Sequence, residues 1–227
     1  MPVTTSIEIF AGTQSFTKVA KTMIPDCEQF ITIDIDSRFE CTHTCDIMVF
    51  DYQRLIPPDQ YFVTHLWCSP PCTEYSKAKT TKERNLEAAD ALVQKALEMI
   101  RFYQKYSNPA LTWYLENPRT GLLKTRDIMK PLTTWYDVNY CRYAPWGMRK
   151  LTRIWTNVES GFTPKRCLGS RQCPECILSP YGTGRYIHRC TPANRYYKKG
   201  VWSNNRLKAI DVARVPPKLI EALLIAS

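Results

Sequence analysis

One stretch constrains the fold of this chain more than any other. An apolar, β-favouring run, Tyr61–Trp67, is followed by Ser69, Pro70 and Pro71 and then at once by Cys72. Because proline fixes φ and removes a backbone donor, the strand must end there and the chain must continue as a stiff, extended loop. Open α/β sheets carry their chemistry beyond the carboxyl ends of their strands. Cys72 is therefore either a nucleophile presented at a sheet edge or an ordinary buried cysteine beside a turn.

The segments around this loop alternate between predicted strands and helices. The residues 6–10 form a first strand, the small polar turn around Gly12 follows, and 18–24 is typical of a short helix. This order is the opening of a nucleotide-binding crossover in an α/β fold. Apolar residues at steps of three and four predict an amphipathic helix between Leu86 and Tyr103. Further strands are predicted at 30–36, 111–115, 137–142 and 153–157.

Acidic side chains follow the second predicted strand. Asp34 lies about twenty residues beyond the glycine turn, the spacing at which a carboxylate can hold the hydroxyl groups of a ribose. The alternative for Asp34 is an ordinary turn residue at the end of a strand. Asp46, further along the chain, could reach an adenine amino group. Gly12 is the one glycine of this turn, so the dinucleotide fingerprint G-x-G-x-x-G is missing and a dehydrogenase is disfavoured.

The charge of the chain indicates the class of its partner. A net charge of +10 over 227 residues favours a polyanion such as nucleic acid. The N-terminus lacks the basic-then-apolar pattern of a signal peptide, and no apolar run is long enough to span a membrane. We therefore expect a cytoplasmic protein, or a nuclear one in a eukaryotic host, with no membrane partner.

The composition changes at Glu159 to a short basic stretch with few aliphatic residues. Without a secretory signal, clustered cysteines indicate metal ligands better than disulfides. The C-x5-C-x2-C spacing with a downstream histidine and cysteine predicts a structural zinc site, which would stabilise a segment that has no core of its own. The five candidate ligands for four positions are Cys167, Cys173, Cys176, His188 and Cys190. The alternative is a group of loosely packed, reduced cysteines.

Two later strand ends add charged groups to Cys72. Glu116 ends the predicted strand 111–115 and is followed by Asn117 and Pro118, and Arg153 begins a late strand. A thiolate, a proton donor and a cation are what nucleophilic addition to an electron-poor ring requires. We expect these three side chains to meet.

The ordered set of motifs resembles the cytosine-C5 DNA methyltransferases, and in particular the compact phage- and virus-type members. The motifs are Phe10-Ala-Gly12, Ile33-Asp-Ile-Asp36, Asp46-Ile47, Pro70-Pro-Cys72, Glu116-Asn-Pro118, the stretch 149–157 and Val215-Pro-Pro217. The resemblance implies a Rossmann-like class I S-adenosylmethionine-dependent methyltransferase fold with a mostly parallel sheet. It runs from the first strand to the last helix, interrupted by the cysteine-rich segment.

The resemblance also implies an activity, the transfer of a methyl group from S-adenosylmethionine to C5 of a flipped-out cytosine in duplex DNA. Cys72 would add to C6 of the base, Glu116 would hold and protonate N3, and Arg153 would contact the carbonyl oxygen. The cofactor would lie against Phe10, Gly12, Ser15, Asp34, Ile35, Asp46 and Pro70. The nucleic acid would contact Arg142, Trp146, Arg149, Lys150, Arg171 and Arg185.

The predicted organisation has three parts: a catalytic domain at 1–158, a small zinc-stapled recognition segment at 159–203, and a helix at 204–227 that returns to the catalytic domain. Two alternatives remain open. The same chemistry could act on RNA, as a tRNA methyltransferase does. A zinc-bearing nucleic-acid-binding protein on a degenerate methyltransferase scaffold is the other, favoured by Arg149 and Leu151, which stand where the family has Gln and Arg.

Overall fold

The computed structural model describes residues 1–80, 83–169, 171–179, 183–189 and 213–227, and the backbone alone at 196–198 and 201–203. The strands of the main sheet are β1 (Val3–Ile9), β2 (Gln29–Asp34), β3 (His43–Thr44), β4 (Tyr61–Cys68), β5 (Thr112–Pro118), β6 (Trp135–Asn139) and β7 (Leu151–Thr156). The short strands that follow are β8 (Cys176–Leu178), β9 (Tyr186–His188), β10 (Tyr196–Lys198) and β11 (Val201–Ser203). The helices are α1 (Ser15–Met23), α2 (Tyr52–Leu55), α3 (Leu86–Tyr106) and α4 (Pro217–Ile225).

The main sheet has seven strands in the order β3-β2-β1-β4-β5-β7-β6. The five strands from β3 to β5 run parallel to their neighbours, whereas β7 is antiparallel to both β5 and β6. Parallel pairs need a crossover connection, and α1 and α3 supply two of them. The predicted α/β fold with a mostly parallel sheet is confirmed.

Apolar clusters cover the two faces of this sheet. The larger one packs the buried face of α3, including Val93, Leu97 and Ile100, against strands β1, β2 and β4. The other joins α1 and α4, where Phe16 and Leu219 pack with residues of β4 and β5. α3 begins after Asn85, whose side chain accepts a hydrogen bond from the backbone N–H of Ala88 (3.0 Å). α4 begins with a proline, which suits the first position of a helix.

The loops after β1 and β4 meet at the carboxyl edge of the parallel strands. The turn after β1 is tight, because Phe10, Gly12 and Gln14 all have positive φ, at 54°, 46° and 55°. It is tied to β2 by the bond from the N–H of Ala11 to the carbonyl of Ile33 (3.1 Å). The loop after β4 is tied to β1 in the same way, from Ser69 to Ile9 (3.3 Å). This edge is where the candidate site lies.

Beyond β7 the chain forms small antiparallel ladders. β8 pairs with β9, so that Cys176 lies opposite His188, and β10 pairs with β11. In the part of the chain that the structure describes, no helix has the length and apolar character needed to cross a membrane.

A buried glutamate holds the start of α1. Glu8 in β1 is 3% exposed, and its carboxylate accepts the backbone N–H groups of Phe16 (3.1 Å) and Thr17 (2.8 Å). It satisfies donors that the helix leaves free, since Gln14 at the N-cap makes no capping bond with its side chain. Burial outweighs these bonds and raises the pKa of Glu8 from 4.5 to about 7.

We predict that Glu8 makes the stability of the fold depend on pH. Because the pKa of Glu8 is higher in the folded than in the unfolded chain, the contribution of Glu8 to folding is most favourable below about pH 4.5 and falls by about 3 kcal/mol as the pH rises to about 7. Glu8→Gln should remove this loss. Urea unfolding of both proteins between pH 5 and pH 8 measures the effect, and identical pH profiles would contradict it.

Candidate active site and metal cluster

The loop that carries Cys72 is anchored on both sides. Trp67 donates its indole N–H to the hydroxyl of Ser69 (2.8 Å), and Asn117 in β5 donates its side-chain amide to the carbonyl of Pro70 (2.9 Å). Pro70 and Asn117 are buried, whereas Cys72 is exposed. The loop therefore presents the thiol from a stiff support held at a fixed position relative to β5.

Cys72, Glu116 and Lys150 line one cavity of about 150 Å³. Glu116 is buried in β5, and its Oε1 accepts a hydrogen bond from the hydroxyl of buried Tyr140 (2.9 Å). Lys150 Nζ lies 3.5 Å from the same oxygen and 4.6 Å from the centre of the Tyr140 ring. The cavity thus combines a thiol, an oriented carboxylate and a cation.

The surroundings of Cys72 set its protonation. Although the residue is exposed, protein atoms packed around the thiol displace water and raise its pKa above the ordinary value of 9.0. The carboxylate of Glu116 raises the pKa further, and the ammonium of Lys150 opposes both effects. The thiolate, which is the nucleophilic form, is therefore favoured by Lys150 and disfavoured by Glu116.

The structure does not bring Arg153 to this cavity. Register places Ile154 opposite Glu116 and Arg153 opposite Asp137, and successive side chains of a strand point to opposite faces. Arg153 binds both oxygens of buried Asp137 (2.7 and 3.0 Å) and stacks on Trp135, 3.8 Å from the ring centre. This corrects the expectation that Arg153 meets Cys72 and Glu116. Lys150, predicted as a contact to nucleic acid, is the cation found there.

A second, larger cavity of about 420 Å³ adjoins the first and shares Phe10, Ser69 and Pro71 with it. All seven predicted cofactor residues line one of the two. Asp34, Ile35 and Asp46 line the larger cavity, Gly12, Ser15 and Pro70 line the smaller one, and Phe10 lines both.

Two features of the larger cavity suit a nucleoside. Asp34 accepts the backbone N–H of Gly12 through Oδ2 (2.8 Å), which holds its carboxylate at the sheet edge. Ile35 is 69% exposed there, an apolar side chain left for a ligand to cover.

The predicted nucleic-acid contacts other than Lys150 do not line these two cavities. Arg142, Arg149, Arg171 and Arg185 are exposed, and Trp146 is half-buried. Arg142 donates to the carbonyl of Gln172 (3.4 Å), and Arg149 donates to the carbonyl of Cys167 (2.9 Å). Arg142 and Arg149 therefore contact the cysteine-rich segment while much of their surface stays exposed to solvent.

Four of the five predicted metal ligands lie together: the sulfurs of three cysteines surround the imidazole ring of His188. Nε2 of His188 lies 3.4 Å from the sulfur of Cys167 and 3.5 Å from those of Cys173 and Cys176. Cys190 lies outside the described residues. A further thiol, that of Cys141, belongs to the cluster, since the ligand atoms of Cys141, Cys167, Cys173 and His188 all lie within 4.8 Å of one another. This donor set is compatible with zinc.

Comparison with known proteins identifies the family. No family model matches the chain. A probable DNA (cytosine-5)-methyltransferase of Frog virus 3 (isolate Goorha) is 32% identical over 238 residues, which cover 96% of this chain and 97% of the viral protein. The chain belongs to the cytosine-C5 DNA methyltransferase family.

Two solved structures are similar to this methyltransferase in part. The S. pombe Dnmt2 methyltransferase matches 72% of the chain at 10% identity, with a TM-score of 0.45. A Spodoptera frugiperda DNMT2 variant matches 78% at 15% identity, also with a TM-score of 0.45. The matches span 52% and 59% of those two chains.

Sequence reasoning missed two residues of the candidate active site, Asn117 and Tyr140, and one residue of the cysteine–histidine cluster, Cys141. Asn117 lies inside the Glu-Asn-Pro motif, so its motif was visible but its bond to Pro70 was not. Tyr140, which holds Glu116, lies in a stretch whose sequence marks no site. Cys141 lies far from the other cysteines of its cluster and has none of their spacing.

We predict that substitutions around the cavity change the reactivity of Cys72 in opposite directions. Glu116→Gln removes a negative charge, lowers the pKa of Cys72 and should speed its alkylation at pH 7.5. Lys150→Met removes the stabilising cation and should slow it. Each change is several-fold, and one pKa unit corresponds to about tenfold. Peptide-resolved mass spectrometry after iodoacetamide treatment measures the rates.

Arg153→Met is the matched control, because it removes the same charge from the opposite face of the sheet. The alkylation rate of Cys72 should stay at the wild-type value in the folded variant. A slowing equal to that of Lys150→Met would show that Arg153 acts in the cavity after all.

Proposed function

We propose that this methyltransferase transfers a methyl group from S-adenosylmethionine to C5 of a cytosine in duplex DNA. The observation that carries the proposal is the shared cavity of Cys72, Glu116 and Lys150, which adjoins a larger cavity suited to a nucleoside. The similarity to the viral protein along nearly the whole chain supports the choice of cytosine and DNA.

The side chains of the cavity account for the activation of the base. The thiolate of Cys72 adds to C6, while Glu116 holds and protonates N3, so that the ring electrons reach C5. Tyr140 keeps the carboxylate of Glu116 in place by donating to Oε1. Lys150 favours the thiolate and takes the part that the resemblance assigned to Arg153. Once C5 carries the methyl group, loss of the C5 proton re-forms the double bond and releases Cys72.

The residues of the larger cavity fit S-adenosylmethionine. Asp34 would hold the ribose hydroxyls, Ile35 would cover one face of the adenine, and Asp46 would accept from its amino group. The fit is supported by the exposed apolar surface of Ile35 beside two carboxylates. When bound, S-adenosylmethionine supplies the electrophilic methyl group that C5 takes up.

The route of the base into the cavity follows from the position of Glu116. Its carboxylate is buried, and a stacked cytosine cannot reach it, so the base must rotate out of the duplex. The exposed cations Arg142, Arg149, Arg171 and Arg185 would contact the phosphate backbone. The net charge of +10 supports a polyanionic substrate without distinguishing DNA from RNA. We propose the segment 159–203 as the region that recognises the nucleic acid, held by a structural zinc ion.

Substrate comparison tests the activity and its alternatives. We expect purified protein to transfer labelled methyl groups to cytosine in duplex DNA, and Cys72→Ser to lose that transfer. Uptake by tRNA in place of DNA would establish the RNA alternative. Calorimetry that detects no binding of S-adenosylmethionine would favour a nucleic-acid-binding protein on a degenerate scaffold.

We also predict a trapped covalent complex. The last step of the reaction is loss of the proton from C5. When fluorine replaces that hydrogen, no proton can be lost, so Cys72 stays bonded to C6. With S-adenosylmethionine present, duplex DNA containing 5-fluorocytosine should give a denaturation-resistant protein–DNA complex. Peptide mapping should place the bond at Cys72, and Cys72→Ser should give no complex. A complex formed through another cysteine would overturn the assignment of the nucleophile.

A further inference from the structure

The cysteine-rich segment has almost no apolar core among its described residues. Within 159–189, the buried apolar side chains are those of Phe162, Cys167 and Cys173, and Phe162 packs with the cluster around α1 and α4. The third buried cluster of the chain consists of Cys141, Cys167 and Cys173, each 4% exposed, with Cys176 packed against it. A cluster made only of cysteines buries too little surface to order such a segment by itself.

Two distances in the cluster match the spacing of sulfur and nitrogen ligands on one tetrahedral zinc ion. With Zn–S near 2.3 Å and Zn–N near 2.0 Å, a sulfur and a nitrogen bound to one zinc ion lie about 3.6 Å apart. The sulfurs of Cys167 and Cys173 lie 3.4 and 3.5 Å from Nε2 of His188. All described cysteines, including these, are free thiols. The geometry is therefore that of co-ligands.

Cys176 does not have the position of a co-ligand. Its sulfur is as close to Nδ1 of His188 (3.6 Å) as to Nε2 (3.5 Å). In a tetrahedral site bound through Nε2, a co-ligand sulfur lies about 5 Å from Nδ1, by the same bond lengths. Cys176 thus lies beside the ring, and Cys141, whose sulfur lies within 4.8 Å of the other three donor atoms, completes the set.

Polar groups around the cluster support anionic sulfur. The backbone N–H of Gly169 points at the sulfur of Cys167 (3.4 Å), and the guanidinium of Arg149 binds the carbonyl of the same residue (2.9 Å). The side chain of Asn139, at the end of β6, accepts the backbone N–H of Cys167 (2.9 Å). Such outer contacts orient metal ligands and balance their charge.

We propose that Cys141, Cys167, Cys173 and Nε2 of His188 bind one zinc ion that fastens the recognition segment to the catalytic sheet. The inference deepens the zinc proposal above by naming a ligand from outside the segment. Three sulfurs and one imidazole nitrogen in a tetrahedron favour zinc over harder cations. The metal is then shared between two parts of the chain, because Cys141 follows β6 and the other ligands lie in the segment.

The position of Cys141 connects this metal to the catalytic cavity. Cys141 is the middle residue of the 3-10 turn Tyr140–Arg142. On one side of it, Tyr140 donates to Glu116, and on the other, Arg142 donates to the carbonyl of Gln172 in the segment (3.4 Å). A ligand at Cys141 therefore holds the turn that positions the catalytic carboxylate.

Metal-dependent protection of thiols in the wild-type chain tests the ligand set. The protein is purified without chelator, its zinc content is measured by mass spectrometry, and half of it is stripped with a strong chelator. We expect one zinc per chain, and peptide-resolved alkylation should show that zinc protects Cys141, Cys167 and Cys173. Buried Cys27, which lies in another part of the fold, is the internal control and should react alike in both samples.

Cobalt substitution gives a second measurement that does not depend on activity. The intensity of the sulfur-to-cobalt charge-transfer band grows with the number of bound thiolates. Cys141→Ser should therefore lose about one third of the band intensity. Cys176→Ser and Cys27→Ser should keep the full intensity of the wild-type protein. Protection of Cys176 or Cys190 in place of Cys141, or a wild-type protein that binds no zinc, would overturn the proposal. A zinc-loaded protein that transfers no methyl group would refute the proposed activity alone.

Discussion

The antiparallel pairing of β7 with β5 and β6 decides what each charged side chain of the site touches. It places Ile154 opposite Glu116 and Arg153 opposite Asp137, so that Glu116 and the Arg153–Asp137 pair lie on opposite faces of the sheet. One face therefore carries the carboxylate held by Tyr140, and the other an arginine–aspartate pair. A shift of one residue would exchange the faces. The register of β7 therefore determines which charged side chains can meet in the candidate site.

The features that could be predicted from the sequence depend only on the local chain at the end of a strand and on the parallel direction of its neighbours. The two prolines before Cys72 end β4 by their own covalent geometry, wherever the strand lies in the sheet. Gly12 follows β1 and Asp34 ends the neighbouring parallel strand β2. The order of these strands brings the two residues together, and the N–H of Gly12 donates to the carboxylate of Asp34 (2.8 Å). The carboxyl edge of a parallel sheet collects such residues without further information, because all its strands point the same way.

The features that could not be predicted depend on the direction of a strand or on residues that are distant in the sequence. Arg153 was placed with Glu116 on the assumption that both strand ends meet, but β7 runs in reverse and its side chains alternate between faces. Cys141 was assigned to a late strand, which in fact ends at Asn139 and passes into a 3-10 turn. The sequence around Cys141 does not show that Cys167, Cys173 and His188, which come later in the chain, pack against it.

The turn Tyr140–Arg142 contacts both the candidate cavity and the cysteine-rich segment, because Tyr140 donates to Glu116 and Arg142 donates to Gln172. The described residues of the segment bury a cysteine cluster and few other apolar side chains, so contacts with the main sheet contribute to its order. The same turn orients Glu116 through Tyr140. Glu116 and the segment are thus bonded to residues of the same short turn. Because the cluster of donor atoms includes Cys141, which follows β6 of the main sheet, the proposed metal site would make the segment depend on that sheet.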